Sequence, residues 1–154
     1  MGIKIKGTGS YIPEKVLTNM DLEKMVETND EWISTRTGIR ERHIAAPEMA
    51  CSDLAERAAR RALEMAGVAP EELNAIIVAT ITPDHVFPST ACLLQHRLGA
   101  KQAFGFDLEA ACSGLLYSLE TARGLMAVNP KNKYVLVIGA EKLSAIVNWK
   151  DRNT

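Results

Sequence analysis

Hydrophobic residues fall on two different periods along this chain. From residue 52 to residue 66, Leu54, Ala55, Ala58, Ala59, Ala62, Leu63 and Ala66 keep helical spacing. That predicts an amphipathic helix with Ser52 as N-cap and Gly67 just past its end. Residues 73–80 (LNAIIVAT) are almost continuously apolar, the pattern of a strand buried on both faces of a parallel sheet. Residues 104–110 and 134–139 predict two further strands, residues 88–98 a helix opened by Pro88, Ser89 and Thr90, and residues 112–128 a central helix. At the start, residues 3–9 (IKIKGTG) predict an opening strand. The order β-α-β-α-β-α-β requires a layered α/β sheet, because right-handed crossovers place the helices on its faces.

The N-terminal third is less regular. Thr18 and Asp21 have capping-box spacing and open a short helix through about residue 27, followed by a polar turn at residues 28–30. Residues 31–43 then bring Trp32, Arg36, Arg40, Arg42 and His43 together without clean periodicity, which reads as an ordered loop or short helix with a surface function. No repeat, linker or low-complexity stretch interrupts the chain, and it reads as one domain.

With 154 residues, 47% hydrophobic and 24% charged, the chain can bury a sizeable core. A formal charge of −1, with basic residues interspersed among acidic ones, gives no electrostatic case for a nucleic-acid surface but leaves room for a small anionic ligand. The opening MGIKIK lacks the apolar core of a signal peptide, and no stretch approaches the ~20 apolar residues of a membrane span, so the expectation is a cytoplasmic protein without a membrane partner. Cys51, Cys92 and Cys112 include no close pair and no histidine at metal-ligand spacing, so neither a disulfide framework nor a metal site is indicated. Cys51 and Cys92 read as structural.

Cys112 differs, because it sits where the apolar strand at residues 104–110 turns directly into a helix. Unpaired N–H groups and the aligned peptide dipoles at a helix start favour a thiolate there. From position alone, a small apolar residue filling the junction is an equal reading. Ser113 fails the G-x-S-x-G elbow, since Ala111 and Leu115 flank it two residues away, and Gly7-Thr-Gly9 is a weak nucleotide motif because position 12 is Ile.

Taken together, residues 7–13 (GTGSYIP), residues 28–43, Ala79-Thr80 with Phe87-Pro88-Ser89, residues 110–114 (AACSG) and Asp151-Arg152 closely resemble the β-ketoacyl-acyl carrier protein synthase III family of thiolase-fold condensing enzymes, N-terminal half. The resemblance implies an α/β, thiolase-like layered fold of which residues 1–154 are the first half, an incomplete β-α-β sheet stopping before its last strand. It implies an acyltransferase: decarboxylative condensation of acetyl-CoA, or another short acyl-CoA, with malonyl-acyl carrier protein to start fatty acid synthesis, through an acyl-Cys112 intermediate. Cys112 matches the nucleophile, and its N–H half of an oxyanion hole. Trp32 matches a residue that stacks on the adenine of coenzyme A, with Thr28 beside it and Arg36 and Arg152 near the adenine and phosphate end. Phe87 falls on a dimer-contact loop, and Ile81 and Leu143 near an acyl pocket.

A homodimer is therefore expected, with coenzyme A thioester as substrate and no cofactor. His43, His85 and His96 do not fall on the family's catalytic histidine. That histidine and an asparagine lie outside these residues, so the chain alone is expected not to condense. Two other classes remain: a non-catalytic coenzyme A-binding subunit needing a partner chain, and another thiolase-fold condensing enzyme such as a hydroxymethylglutaryl-CoA synthase or a plant-type ketide synthase.

Overall fold

The computed structural model describes residues 2–154 and divides into two compact units, one of residues 12–49 with 142–154, the other of the N-terminal residues up to Tyr11 with Ala50–Glu141. The smaller unit opens with β1 (Val16–Thr18) and α1 (Asn19–Leu22), continues through α2 (Asp30–Thr37) and closes with β2 (Glu41–His43), which pairs antiparallel with β1. The predicted capping box is present. The Asp21 N–H donates to Thr18 Oγ1 at 3.2 Å and the Thr18 N–H to the Asp21 carboxylate at 3.2 Å. Hydrogen bonds from Thr18, then from Lys24, hold the Asp21 carboxyl down at about 2.

The helix so capped stops at Leu22 rather than residue 27, because the Glu23 carboxylate turns back to accept the Asp30 N–H at 2.9 Å and starts α2 instead. The three-residue strands lie in stretches that carried no period.

The larger unit comprises α3 (Cys51–Ala66), β3 (Ala75–Ala79), α4 (Thr90–Leu98), β4 (Phe104–Leu108), α5 (Gly114–Val128) and β5 (Val135–Gly139). The sheet is parallel throughout, in the order β4-β3-β5, with Ala75 opposite Phe104 on one side and Val135 on the other. Every residue of β3 is buried, as its continuous apolar run requires. Ile76 and Val78 join Leu63, Leu94, Leu98 and Ile138 in the core shared with α3 and α4. Ile77 points to the opposite face by strand alternation and is equally buried, and α5 packs against the strand.

Two expectations are corrected here. Ser52 is not the cap of α3: the N-cap is Ala50, two residues earlier and without a side-chain oxygen, and the Ser52 N–H is taken by Asp84 at 2.8 Å, from a loop 32 residues on. Residues 3–9 are not a strand. Alternation predicts one-sided burial but supplies no pairing partner, and this segment runs along α3, with an open groove between it and β5 that is lined by Ala59 and Ala62 of α3 and by Leu119, Ala122 and Met126 of α5.

Candidate functional site

In the larger unit, β4 ends at Leu108 and the chain reaches α5 through a tight 3-10 turn over Ala111–Ser113. Cys112 is thus in the turn before the helix and not in its first turn, and its side chain is exposed. Ala111 supplies the sharp reversal with φ +44°, a left-handed conformation that costs a residue with a Cβ about 1–2 kcal/mol. Gly114 then lets the start of α5 touch the sheet: a Cβ there would lie 2.9 Å from Ala79 Cβ. The thiol is therefore presented above the C-terminal end of β3, the edge at which open α/β sheets bind ligands.

The loop after β3 carries Ile81, half-buried, and Phe87, which is 89% exposed next to Val86 at 98%. Carboxylates pin it. Asp84 accepts the Ser52 N–H and hydroxyl at the start of α3, and Asp107 of β4 accepts the Thr90 and Ala91 N–H groups at 2.8 Å each at the start of α4. Neither carboxylate was singled out by the sequence, because a helix-start acceptor supplied from a distant loop or strand leaves no local spacing to read.

The cysteines separate by environment. Cys51 is buried, its Sγ donating to the Ala140 carbonyl at 3.2 Å, and burial pushes its thiol up to about 11, with the charges of Asp84, Glu141 and Asp107 adding to the shift. Cys92 is exposed on α4 rather than packed, though its Sγ lies 3.9 Å from the Gly105 carbonyl.

In the smaller unit, buried Asn19 fixes α2 by donating to Asp30 Oδ1 at 2.7 Å and to the Ile39 carbonyl at 2.8 Å. Asn29 caps α2 by accepting the Trp32 N–H at 2.7 Å. The structure then brings three predicted residues together: the Arg36 and Arg152 guanidinium carbons lie 4.5 and 5.0 Å from the Trp32 ring centroid. Thr28 sits just before this helix, its hydroxyl oxygen buried without a hydrogen-bond partner. Leu143 stands half-exposed on a short 3-10 turn of the same unit. The His43 ring is engaged with the Pro13 carbonyl. Among the described residues, no cluster of His, Cys, Asp or Glu could hold a metal ion, and no helix is long and apolar enough to cross a membrane.

The family described as 3-oxoacyl-[acyl-carrier-protein (ACP)] synthase III matches residues 106–154. A β-ketoacyl-[acyl-carrier-protein] synthase III of Desulfitobacterium hafniense is 62% identical over 154 residues, all of this chain and 46% of that protein. The crystal structure of the 3-oxoacyl-[acyl-carrier-protein] synthase III of Aquifex aeolicus superposes with a TM-score of 0.94 at 56% identity, over 99% of this chain and 49% of that one. The priming β-ketosynthase of the R1128 polyketide pathway superposes with a TM-score of 0.87 at 35% identity, over 97% of this chain and 44% of that one. This chain spans about half the length of the relatives it matches.

Proposed function

We propose, from the premise that this chain belongs to the 3-oxoacyl-[acyl-carrier-protein] synthase III family and corresponds to its N-terminal half, that it carries the nucleophile and the coenzyme A contacts of a condensing acyltransferase. Its fold is the thiolase-like α/β arrangement. The observation that carries the reading is an exposed cysteine held at a strand-to-helix turn over the end of a parallel sheet.

In the first half-reaction the Cys112 sulfur attacks the thioester carbonyl of acetyl-CoA. A new C–S bond forms, the coenzyme A sulfur leaves with the electron pair, and the proton given up by Cys112 ends on the departing thiol. One thioester replaces another, so the step is close to neutral in free energy. In the second, malonyl-acyl carrier protein loses carbon dioxide and the resulting carbanion attacks the acyl carbonyl, expelling the Cys112 thiolate. Trp32 offers a flat face to adenine, and Arg36 and Arg152 offer charge and planar donors to phosphate. The working protein is a homodimer, a reading supported by Val86 and Phe87, two large apolar side chains exposed side by side on a pinned loop, and its place is the cytoplasm.

The test is acylation of the gene product that carries this chain, followed by intact mass. Trp32→Ala combined with Arg152→Ala should raise the acetyl-CoA concentration for half-maximal acylation about tenfold or more, since one base–aromatic stack contributes roughly 1–3 kcal/mol. The maximum rate should change little. Unchanged acetyl-CoA dependence would sink the assignment of these side chains.

The domain reading, a half-fold lacking its last strand, is supported by the groove beside β5. Among the described residues one edge of β5 has no strand partner, and the groove between it and residues 3–9 has apolar walls, so we propose that a strand from outside these 154 residues fills it. In the gene product, those β5 amides that do not bond to β3 should exchange with deuterium at sheet-like rates. Exchange as fast as at an open edge would reject the idea.

A further inference from the structure

The last main-chain bond between β3 and β5 runs from the Ala140 N–H to the Ala79 carbonyl, 3.2 Å. Continuing the register, Ile81 lies opposite Glu141, but here the ladder is broken by a side chain. Glu141 Oε1 accepts the Ile81 N–H at 2.9 Å, while Oε2 accepts the Thr82 hydroxyl and, at 3.3 Å, the Thr80 hydroxyl. Thr80 Oγ1 in turn accepts the Thr82 N–H at 3.0 Å and meets Cys51 Sγ at 3.5 Å. Thr80 and Thr82 are both buried, and one carboxylate accepts both of their hydroxyls and the Ile81 N–H between them. The corner sits beside the Cys112 turn: the start of α5 rests on Ala79, and Ile81 is two residues further along the same backbone.

We propose that Glu141 is a positioning residue. Its carboxylate replaces the missing ladder acceptor, peels the chain away from the sheet after Thr80, and fixes Ile81 as a wall of the space next to the Cys112 sulfur, so that it sets which acyl chains the thiol accepts. This rests on the acyltransferase reading above. A hydrogen bond to a charged group contributes enough to hold one backbone placement against its alternatives.

The experiment compares wild type, Glu141→Ala and Glu141→Gln in the gene product, with acetyl-, butyryl- and isobutyryl-CoA as acyl donors. Glu141→Ala should change the ratio of kcat/KM between acetyl- and butyryl-CoA by about tenfold or more. Glu141→Gln, whose amide oxygen still accepts the Ile81 N–H, should restore the ratio to within about threefold of wild type. A ratio unmoved in Glu141→Ala, or a uniform fall for all three donors, overturns the proposal, as does failure of the glutamine variant to rescue.

Amide exchange at Ile81 supplies a readout independent of turnover: it should accelerate about tenfold or more in Glu141→Ala and stay near wild type in Glu141→Gln. An inactive wild type would sink the acyltransferase reading, and Ile81 exchange unchanged by Glu141→Ala would sink the placement. If the alanine variant does not fold, Glu141→Asp takes its place, since one methylene less withdraws the carboxylate from Ile81 and should shift the same ratio.

Discussion

Replacing Cys112 by alanine in the gene product that carries this chain is expected to abolish transfer of an acetyl group from acetyl-CoA to the protein and, on the proposed acyltransferase reading, to lower condensation by at least about 10³-fold, the scale on which removal of a covalent nucleophile acts. The expectation follows from how differently the three thiols are held. Cys51 is buried, bonded to the Ala140 carbonyl, and pushed up to about 11, so near neutral pH it keeps its proton and meets no substrate. Cys92 is exposed but lies within α4, its Sγ near the Gly105 carbonyl at the start of β4 and not at the C-terminal end of the sheet, so Cys92→Ser should acylate as wild type does. Only Cys112 combines exposure with a turn of enforced geometry, fixed on one side by the left-handed Ala111 and on the other by the close seat of Gly114 on Ala79. Intact mass after incubation with acetyl-CoA, followed by peptide mapping, decides the matter. An acetyl group still found on the Cys112→Ala protein would move the chemistry to another residue.

What could be read from the sequence follows from how locally each feature is determined. β3 was legible because burial on both faces leaves a continuous apolar run, and α3 because one helical face meets the core while the other carries charge. Trp32, Arg36 and Arg152 were legible as a group only through family resemblance, since 120 positions separate Trp32 from Arg152 and no local period joins them. Their gathering around one ring is a tertiary fact. The carboxylates were not legible. Asp84, Asp107 and Glu141 each satisfy backbone N–H groups far away in sequence, and an acidic residue in a loop or near a strand end looks the same whether it is solvated or anchors a corner. For the same reason Ser52 was misread as a cap: its residue type is right for the position, but the oxygen that accepts there comes from Asp84.

Gly9→Ala is expected to destabilise the larger unit by about 3 kcal/mol or more, and Gly9→Val to prevent its folding, from the overpacking of a backbone-to-backbone contact that no rotamer change can relieve. A Cβ on Gly9 would collide with the Ala58 carbonyl and the Ala62 N–H and approach Arg61 Cβ to 2.9 Å; one on Gly7 would lie 2.5 Å from the Ala62 carbonyl oxygen and 2.6 Å from the Ala66 nitrogen. The repeat has a simple origin. Two extended residues advance about 6.6 Å and four helical residues about 6 Å, so glycines two apart along the N-terminal segment meet alanines four apart on α3.

The Gly-x-Gly after the first residues is thus a packing device in which two backbones approach with only hydrogen between them, which is why it lacks the third glycine and the helix start of a phosphate-binding loop. Gly124 provides the contrast. It lies within α5 with open space where its Cβ would be, so Gly124→Ala should stabilise by about 0.5–1 kcal/mol through helix propensity. Urea midpoints of the two variants should therefore move in opposite directions. A Gly9→Ala protein as stable as wild type would mean that the N-terminal segment does not seat on α3 in solution.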